Sequence, residues 1–256
     1  MTRGLLDLSD RHILVVGGSR GIGAAAARMA ARAGAAVSLT YRADGSAADA
    51  LVAEIVGHGG RAAAFQAEVA KEGPIDAAVD DAVRTLGPLR GVVVSAGIFE
   101  GSYLEDMTPE FWDRTMAVNV RGTFLAVRAA ARAMRAAAEG GSIVIITSTA
   151  GQRGSAEYSA YATSKGAQLL FMRSMAKELA PDGIRVNCVA PAWTETDLAA
   201  PSLDALGREE VAAGFPLGRI GLPEDVAGAT TFLLSDLAGF ITGSTITVDG
   251  GMDMRG

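Results

Sequence analysis

The chain has 256 residues, of which 49% are hydrophobic and 20% charged, with a formal net charge of −6. That length and apolar content suit one large α/β domain and exclude a disordered chain. No basic stretch tracks along any segment, which argues against nucleic acid as a partner. No uninterrupted apolar run reaches the ~18 residues of a membrane helix.

Cys188 is the lone cysteine, so an internal disulfide and a multi-cysteine metal site are both excluded. It reads as a small core residue. The two histidines, His12 and His58, lie far apart without a ligand-spaced partner, so no metal is expected. Met1 to Asp10 has no apolar core of signal-peptide length, and the chain reads as cytoplasmic.

In chain order, His12–Val16 (HILVV) reads as a short buried strand and Gly21–Gly34 as the helix after it. Between them runs Gly17-Gly18-Ser19-Arg20-Gly21-Ile22-Gly23. Glycines there allow a tight turn and a close approach of backbone to ligand. The following helix would offer unpaired N–H groups and its positive dipole end to a pyrophosphate. Ala36–Thr40 is the second strand and Ala47–Val56 the second helix. Strand signals recur at Arg61–Gln66, Gly91–Ser95, Ser142–Thr147 and Arg185–Ala190. Helical runs lie between them at Ile75–Leu86, Pro109–Ala138 and Tyr158–Ala180.

Continuous apolar strands such as VVV and IVII suit a parallel sheet covered on both faces. Strand–helix alternation throughout predicts a single α/β domain over residues 1–256, with a doubly wound, Rossmann-type parallel sheet and helices on both faces. Thr196–Gly218 stands apart. It carries Pro201, Pro216 and small residues around a short helical piece near Leu203–Ala213, and it reads as a flap over the site.

Tyr161 and Lys165 stand four residues apart in a helical stretch, which puts both side chains on one face, one turn apart. The chain has only four Tyr and three Lys. A phenol with an ordinary pKa of about 10 is a poor acid or base at neutral pH, and a nearby cation favours its phenolate. The pair is therefore a candidate acid/base device.

The glycine loop, spaced G-x-x-x-G-x-G, together with Tyr161-x-x-x-Lys165, resembles the short-chain dehydrogenase/reductase family. Further matches are Asn119 in Ala-Val-Asn-Val, Ser148 in Ile-Thr-Ser-Thr-Ala-Gly, Pro191 to Thr196, Arg219 to Val226, and Ile241 to Gly251. The resemblance runs from Leu8 to Met252 and is strongest toward 3-oxoacyl-thioester reductases. It implies a catalytic set of Asn119, Ser148, Tyr161 and Lys165. Ser148 would hold a substrate carbonyl, Tyr161 would protonate it as hydride arrives, Lys165 would tune the tyrosine and hold ribose hydroxyls, and Asn119 would support a water relay.

The resemblance also implies a nicotinamide cofactor. Its binding residues would be Gly17, Ser19, Arg20, Gly21, Ile22 and Gly23 in the loop, then Tyr41, Arg42, Glu68, Val69, Ser95, Ala96, Gly97, Lys165, Pro191, Thr194 and Thr196. NAD-type members carry an acid at the end of the second strand. Here Thr40-Tyr41-Arg42 has none, and Arg20 with Arg42 offers two guanidinium groups for a 2′-phosphate, so NADP(H) is expected. Four positions depart from the family pattern: Val16 for a threonine, Glu68 for an aspartate, Ser95 for an asparagine, and Ala192 for a glycine. Ser95 replaces only part of an amide's hydrogen bonding.

The expected reaction is reduction of a ketone, either a 3-oxoacyl thioester or a free ketone of specialised metabolism. Carrier-protein reductases of this kind dock an acidic carrier through basic residues near the cleft. Glu139 and Asp182 stand at the corresponding places, where they would repel it, although Arg132, Arg135 and Arg173 could compensate. Ile98, Phe99, Trp193, Leu198 and Phe215 are candidates to line an apolar cleft. The alternative from another class is a cofactor-binding sensor or scaffold without turnover. The alanine-rich Pro109–Ala138 and Tyr158–Ala180 helices, with the family's habit, imply a homotetramer or homodimer.

Overall fold

Seven parallel strands form one sheet in the computed structural model, which describes residues 6–253. They are β1 (His12–Val16), β2 (Ala36–Tyr41), β3 (Arg61–Gln66), β4 (Leu89–Val94), β5 (Gly141–Ile146), β6 (Ile184–Pro191) and β7 (Thr245–Val248). Their spatial order is β3-β2-β1-β4-β5-β6-β7. Parallel neighbours cannot be joined by tight hairpins, so helices fill the crossovers. These are α1 (Gly21–Arg32), α2 (Gly45–Gly57), α3 (Glu72–Leu86), α4 (Pro109–Met116), α5 (Gly122–Ala137), α6 (Ala150–Arg153), α7 (Ser159–Leu179), α8 (Ala200–Leu206), α9 (Arg208–Ala213) and α10 (Pro223–Leu234). The fold is the expected doubly wound, Rossmann-type sheet. Strand order reverses between β1 and β4, and such a reversal opens a crevice beyond the carboxyl ends of the strands.

Side chains alternate across each strand, so each face builds its own core. Leu14, Val92, Ile143 and Val186 pack against α3, α5 and α7. Ile13, Val15, Val93, Val144 and Val189 pack against α1, α2 and α10. Fully burying one such aliphatic side chain contributes about 1.5–3 kcal/mol. Ala24, Ala25, Ala26, Ala27 and Ala30 are all buried in α1, and their small size lets that helix sit close to the sheet. β3 and β7, at the two edges, are the least covered strands.

The expected Pro109–Ala138 helix is interrupted. One wide π turn, Ala117–Arg121, separates α4 from α5 and is centred on the fully buried Asn119. Such turns insert a residue and re-aim side chains. The flap's helical piece is likewise two helices, broken where Gly207 takes φ +83°. α10 and β7 were not among the expected elements. α10 starts on a clear signal: Pro223 at its first turn, and the Asp225 carboxylate accepting from the Leu222 amide at 2.7 Å. Its Gly228 and paired Thr230 and Thr231 mask the helix in the sequence, and those threonines bond back to Val226 and Ala227 inside it.

The acids Glu139 and Asp182 correct another expectation. Both precede the amino ends of β5 and β6, the opposite edge of the sheet from the crevice. Six residues of strand separate the two edges by about 20 Å. Each acid also has its own cation, Arg90 for Glu139 and Arg135 for Asp182, at 2.7 Å. They do not guard the cleft of this chain.

His12 ties the start of the sheet together. Its Nδ1 lies 2.8 Å from the Gly87 carbonyl, to which it must donate, and its Nε2 lies 2.7 Å from the Ser38 hydroxyl. Burial holds its pKa below the ordinary 6.5, with Arg61 adding to the effect and the Gly87 bond opposing it. The unfolded chain therefore binds this proton more readily than the folded one. The stabilisation is present above 6.5 and is lost as pH falls below it. We expect the denaturant midpoint to drop between about pH 8 and about pH 5, and to drop less in His12→Asn, as followed by far-UV circular dichroism.

Candidate active site

One cleft of about 520 Å³ opens at the carboxyl ends of the strands. Its floor begins at the turn from β1 into α1. Gly17 has φ +78°, and a Cβ there would lie 2.7 Å from the Ala96 backbone. Only glycine lets the first loop and the loop after β4 approach so closely. The Gly17 amide donates to the Thr40 hydroxyl at 3.1 Å, and the Gly18 amide to the Thr40 carbonyl at 3.0 Å. Thr40 thereby supplies, from β2, a hydroxyl bond to a loop whose preceding residue, Val16, has none to give. Arg20 precedes α1 without a side-chain cap, so the first N–H groups of the helix face the cleft unpaired.

Tyr161 and Lys165 project from the first turns of α7, and Ser148 from the end of β5. All three line the cleft. The Ser148 hydroxyl accepts from the Ala150 amide at 3.1 Å and lies near enough to Tyr161 to bear on its pKa. The Lys165 ammonium donates to the Ile146 carbonyl at 2.9 Å and lies 5.6 Å from the centre of the Tyr161 ring. α6 lies against α7 at Gly151, where a Cβ would meet the Lys165 backbone at 2.6 Å.

The electrostatics differ from the expected cation-tuned phenol. Burial pushes the Tyr161 phenol up to about 12, and the Ser148 hydroxyl opposes that rise. Burial brings Lys165 down to about 8. Cys188 lies close enough below the lysine to be felt by it, but burial pushes its thiol up to about 12, which leaves it an inert core group.

Asn119 does not line the cleft. Its side chain accepts from the Ile98 amide at 2.8 Å and donates to the Ile98 carbonyl and the Ser164 hydroxyl, both at 3.0 Å. Its carbonyl accepts from Gln168 at 2.8 Å and from Thr123 at 2.7 Å. With its amide group and carbonyl so engaged, it clamps the loop after β4 to α5 and α7. Gly23 also stays behind the wall: a Cβ there would meet the Gly17 carbonyl at 2.2 Å, so it serves helix–loop packing.

An aromatic cluster roofs the site. Phe99 stacks on Tyr158 at 4.6 Å and meets the edges of Tyr161 at 4.8 Å and Trp193 at 5.6 Å. The Tyr158 hydroxyl donates to Ser202 of α8 at 3.1 Å, joining this cluster to the flap.

A family model described as Enoyl-(Acyl carrier protein) reductase matches residues 16–253. A 3-oxoacyl-(acyl-carrier-protein) reductase of Synechocystis sp. is 39% identical, covering 96% of this chain and 98% of that protein. A 2-(S)-hydroxypropyl-CoM dehydrogenase 3 of Xanthobacter autotrophicus is 41% identical over 96% of this chain and 97% of its own length. The crystal structure of a short-chain type dehydrogenase/reductase from Mycobacterium marinum superposes with a TM-score of 0.93 at 36% identity, covering 98% of each chain. The chain belongs to the short-chain dehydrogenase/reductase family. It is thus a member of a family of oxidoreductases that bind a nicotinamide cofactor.

Most of the residues anticipated from sequence for this short-chain dehydrogenase/reductase meet in the one cleft: Gly17, Ser19, Arg20, Gly21, Ile22, Tyr41, Arg42, Glu68, Val69, Ser95, Ala96, Gly97, Ser148, Tyr161, Lys165, Pro191, Thr194 and Thr196. Of the apolar candidates, Ile98, Phe99, Trp193 and Leu198 line it. Phe215 does not; it packs with Leu203 and Ile220 in a small core that the flap itself helps to form. Thr40, Arg153 and Tyr158 were missed. For Tyr158 the signal was its i, i+3 spacing to Tyr161. Among the described residues no group of three or more metal-ligating side chains occurs, and no helix is long and apolar enough to cross a membrane.

Gly17→Ala should lower stability by about 1–3 kcal/mol, from the positive φ and the clash with Ala96. Chemical denaturation of the purified variant measures this.

Proposed function

We propose that the protein reduces a ketone to a secondary alcohol using NADPH. The observation that carries this reading is that Ser148, Tyr161 and Lys165 line the same cleft as the glycine loop. Two hydroxyls lining one cleft suit one carbonyl oxygen, which has two lone pairs to receive them.

The residues present fit a dinucleotide. The uncapped start of α1 and the Gly17 approach suit a pyrophosphate. Arg20 and Arg42 lie at the cleft, exposed and without a carboxylate partner among the described residues, which favours a 2′-phosphate. The bound nicotinamide supplies the hydride. Ser148 holds the carbonyl oxygen, and Tyr161 gives it a proton. A phenol held up to about 12 is fully protonated at neutral pH, ready for the reductive direction. The Lys165 charge then stabilises the tyrosinate left behind, until a proton returns from solvent. Asn119 positions the loop and the helix that carry these groups. Thr196–Gly218 acts as the flap, and residues 1–256 work as one domain.

A reductase drawing on NADPH works where that cofactor is kept reduced, which places it in the cytoplasm. Phe124 and Leu170 leave apolar surface on α5 and α7, which suits pairing of these helices in a homotetramer or homodimer.

Tyr161→Phe should lower kcat by about 10²–10⁴ against a panel of ketones, read as NADPH absorbance loss. The panel holds acetoacetyl-CoA, a carrier-bound 3-oxoacyl substrate and a bulky cyclic ketone, with an enoyl thioester as control. Wild-type rates in that variant would overturn the mechanism; NADPH binding with no turnover on any ketone would favour the sensor. The wild-type rate of reduction should fall as pH rises through about 8, where Lys165 loses its charge. Replacing Arg20 and Arg42 by alanine together should weaken NADPH binding by about tenfold or more and leave NADH binding little changed, in fluorescence titrations.

A further inference from the structure

The cleft is locally basic in an acidic molecule. Arg20, Arg42, Arg153 and Lys165 line it against the carboxylates Glu68 and Asp197, whereas the whole chain carries −6. A concave site of one sign focuses the field and draws in ligands of the other sign. On the functional reading above, Arg20 and Arg42 are engaged by the cofactor and Lys165 by the reaction. Arg153 is left over.

Arg153 is ion-paired with Asp253 at a distance that leaves its hydrogen-bond donors unspent. Many arginines on this surface are hydrogen-bonded to acids, among them Arg28 to Glu54 at 2.8 Å, Arg135 to Asp182 at 2.7 Å and Arg219 to Asp225 at 2.6 and 2.8 Å. Arg153 has instead a distant counter-charge, Asp253, at 3.7 Å, beyond hydrogen-bonding range. Among the described residues its guanidinium makes no hydrogen bond, and its side chain is 42% exposed. Asp253 is far more covered, at 17%, and its amide donates to Asp249 at 2.8 Å. The carboxylate thus holds the arginine in the cleft by charge and leaves the planar donor fork unspent.

The position of Arg153 is also fixed relative to the reacting groups. It ends α6, five residues after Ser148, and α6 is seated on the Lys165 backbone through Gly151. The cleft also has an apolar, aromatic part, formed by Phe99, Tyr158 and Trp193. A ligand spanning these features would have its carbonyl at Ser148 and Tyr161, an apolar body against the rings, and an anionic group at Arg153.

We propose that Arg153 is a specificity residue that reads an anionic oxygen group on the substrate. A carboxylate or sulfonate on a free keto acid and the phosphates of a thioester carrier share that chemistry. The proposal rests on the reductase reading, and the test separates the two.

The experiment compares matched pairs with the full-length enzyme. One pair is a 4- or 5-oxo carboxylic acid and its methyl ester. The other is acetoacetyl-CoA and the same acyl group on N-acetylcysteamine, which has no phosphate. Wild type should favour the anionic member of one pair, and that pair names the source. In Arg153→Gln the ratio of kcat/KM, anionic over neutral, should fall about tenfold or more, through KM, and Arg153→Lys should recover part of it. Raising the salt should erode the same ratio in wild type. No wild-type preference in either pair, or a ratio unmoved in Arg153→Gln, overturns the proposal. Binding is read separately, as the thermal shift that each keto compound gives to the NADPH-loaded protein. Arg153-dependent binding of the anion without turnover keeps this inference and sinks the reductase. Turnover of both members with an unmoved ratio does the reverse.

Discussion

The side chain of Asn119 holds together what the sheet alone would leave apart. It pairs with both the amide and the carbonyl of Ile98 and reaches Ser164, three residues past Tyr161. Its own carbonyl takes donors from Gln168 and Thr123. Three segments distant in sequence, the loop after β4 and the helices α5 and α7, therefore share one buried amide. The Asn119 carboxamide is satisfied within this network, whereas the Gln168 side-chain oxygen is buried in it without a partner among the described residues. The π turn at Ala117–Arg121 is the local deformation that brings Asn119 to that point. Gly97, packed at 3.1 Å from the Asn119 carboxamide oxygen and 3.7 Å from the Lys165 ammonium if it carried a Cβ, shows how little room the arrangement leaves.

Around this clamp, burial sets the chemistry of the titrating groups. It disfavours the charged form of Tyr161 and of Lys165 alike, and so moves their pKa values apart from neutrality in one case and toward it in the other. Position rather than a standing ion pair is what the fold supplies: a phenol that keeps its proton, a serine in the same cleft, and, one helical turn away, an ammonium tied to a strand carbonyl. The aromatic contacts of Phe99 hold the phenol ring from its other side.

Much of this was legible in the chain of letters. Five-residue apolar strands such as HILVV and the glycine loop after it point to a parallel sheet with a ligand at its carboxyl edge, because strands of such a sheet are buried on both faces. Tyr161 and Lys165 were readable from helical spacing. The rest depended on tertiary geometry. The sequence AVNV gives no sign of a π turn, since its cause is a contact 21 residues away at Ile98. Glu139 and Asp182 could be placed at the cleft by analogy, and only strand direction shows that they sit at the far edge. Phe215 was indistinguishable from a cleft residue until it was seen packed on Leu203 and Ile220. Arg153 carries no motif; its interest lies in a 3.7 Å gap to a residue 100 positions later.

The most direct test of the account is the turnover of Asn119→Ala on a ketone that the wild type reduces, with hydrogen exchange at the Ile98 amide as the structural control. The clamp predicts a folded protein in which Ile98 exchanges freely and kcat falls by about a hundredfold or more, because misplacing reacting groups by an ångström costs that much. A variant with an exposed Ile98 amide and wild-type kcat would contradict it.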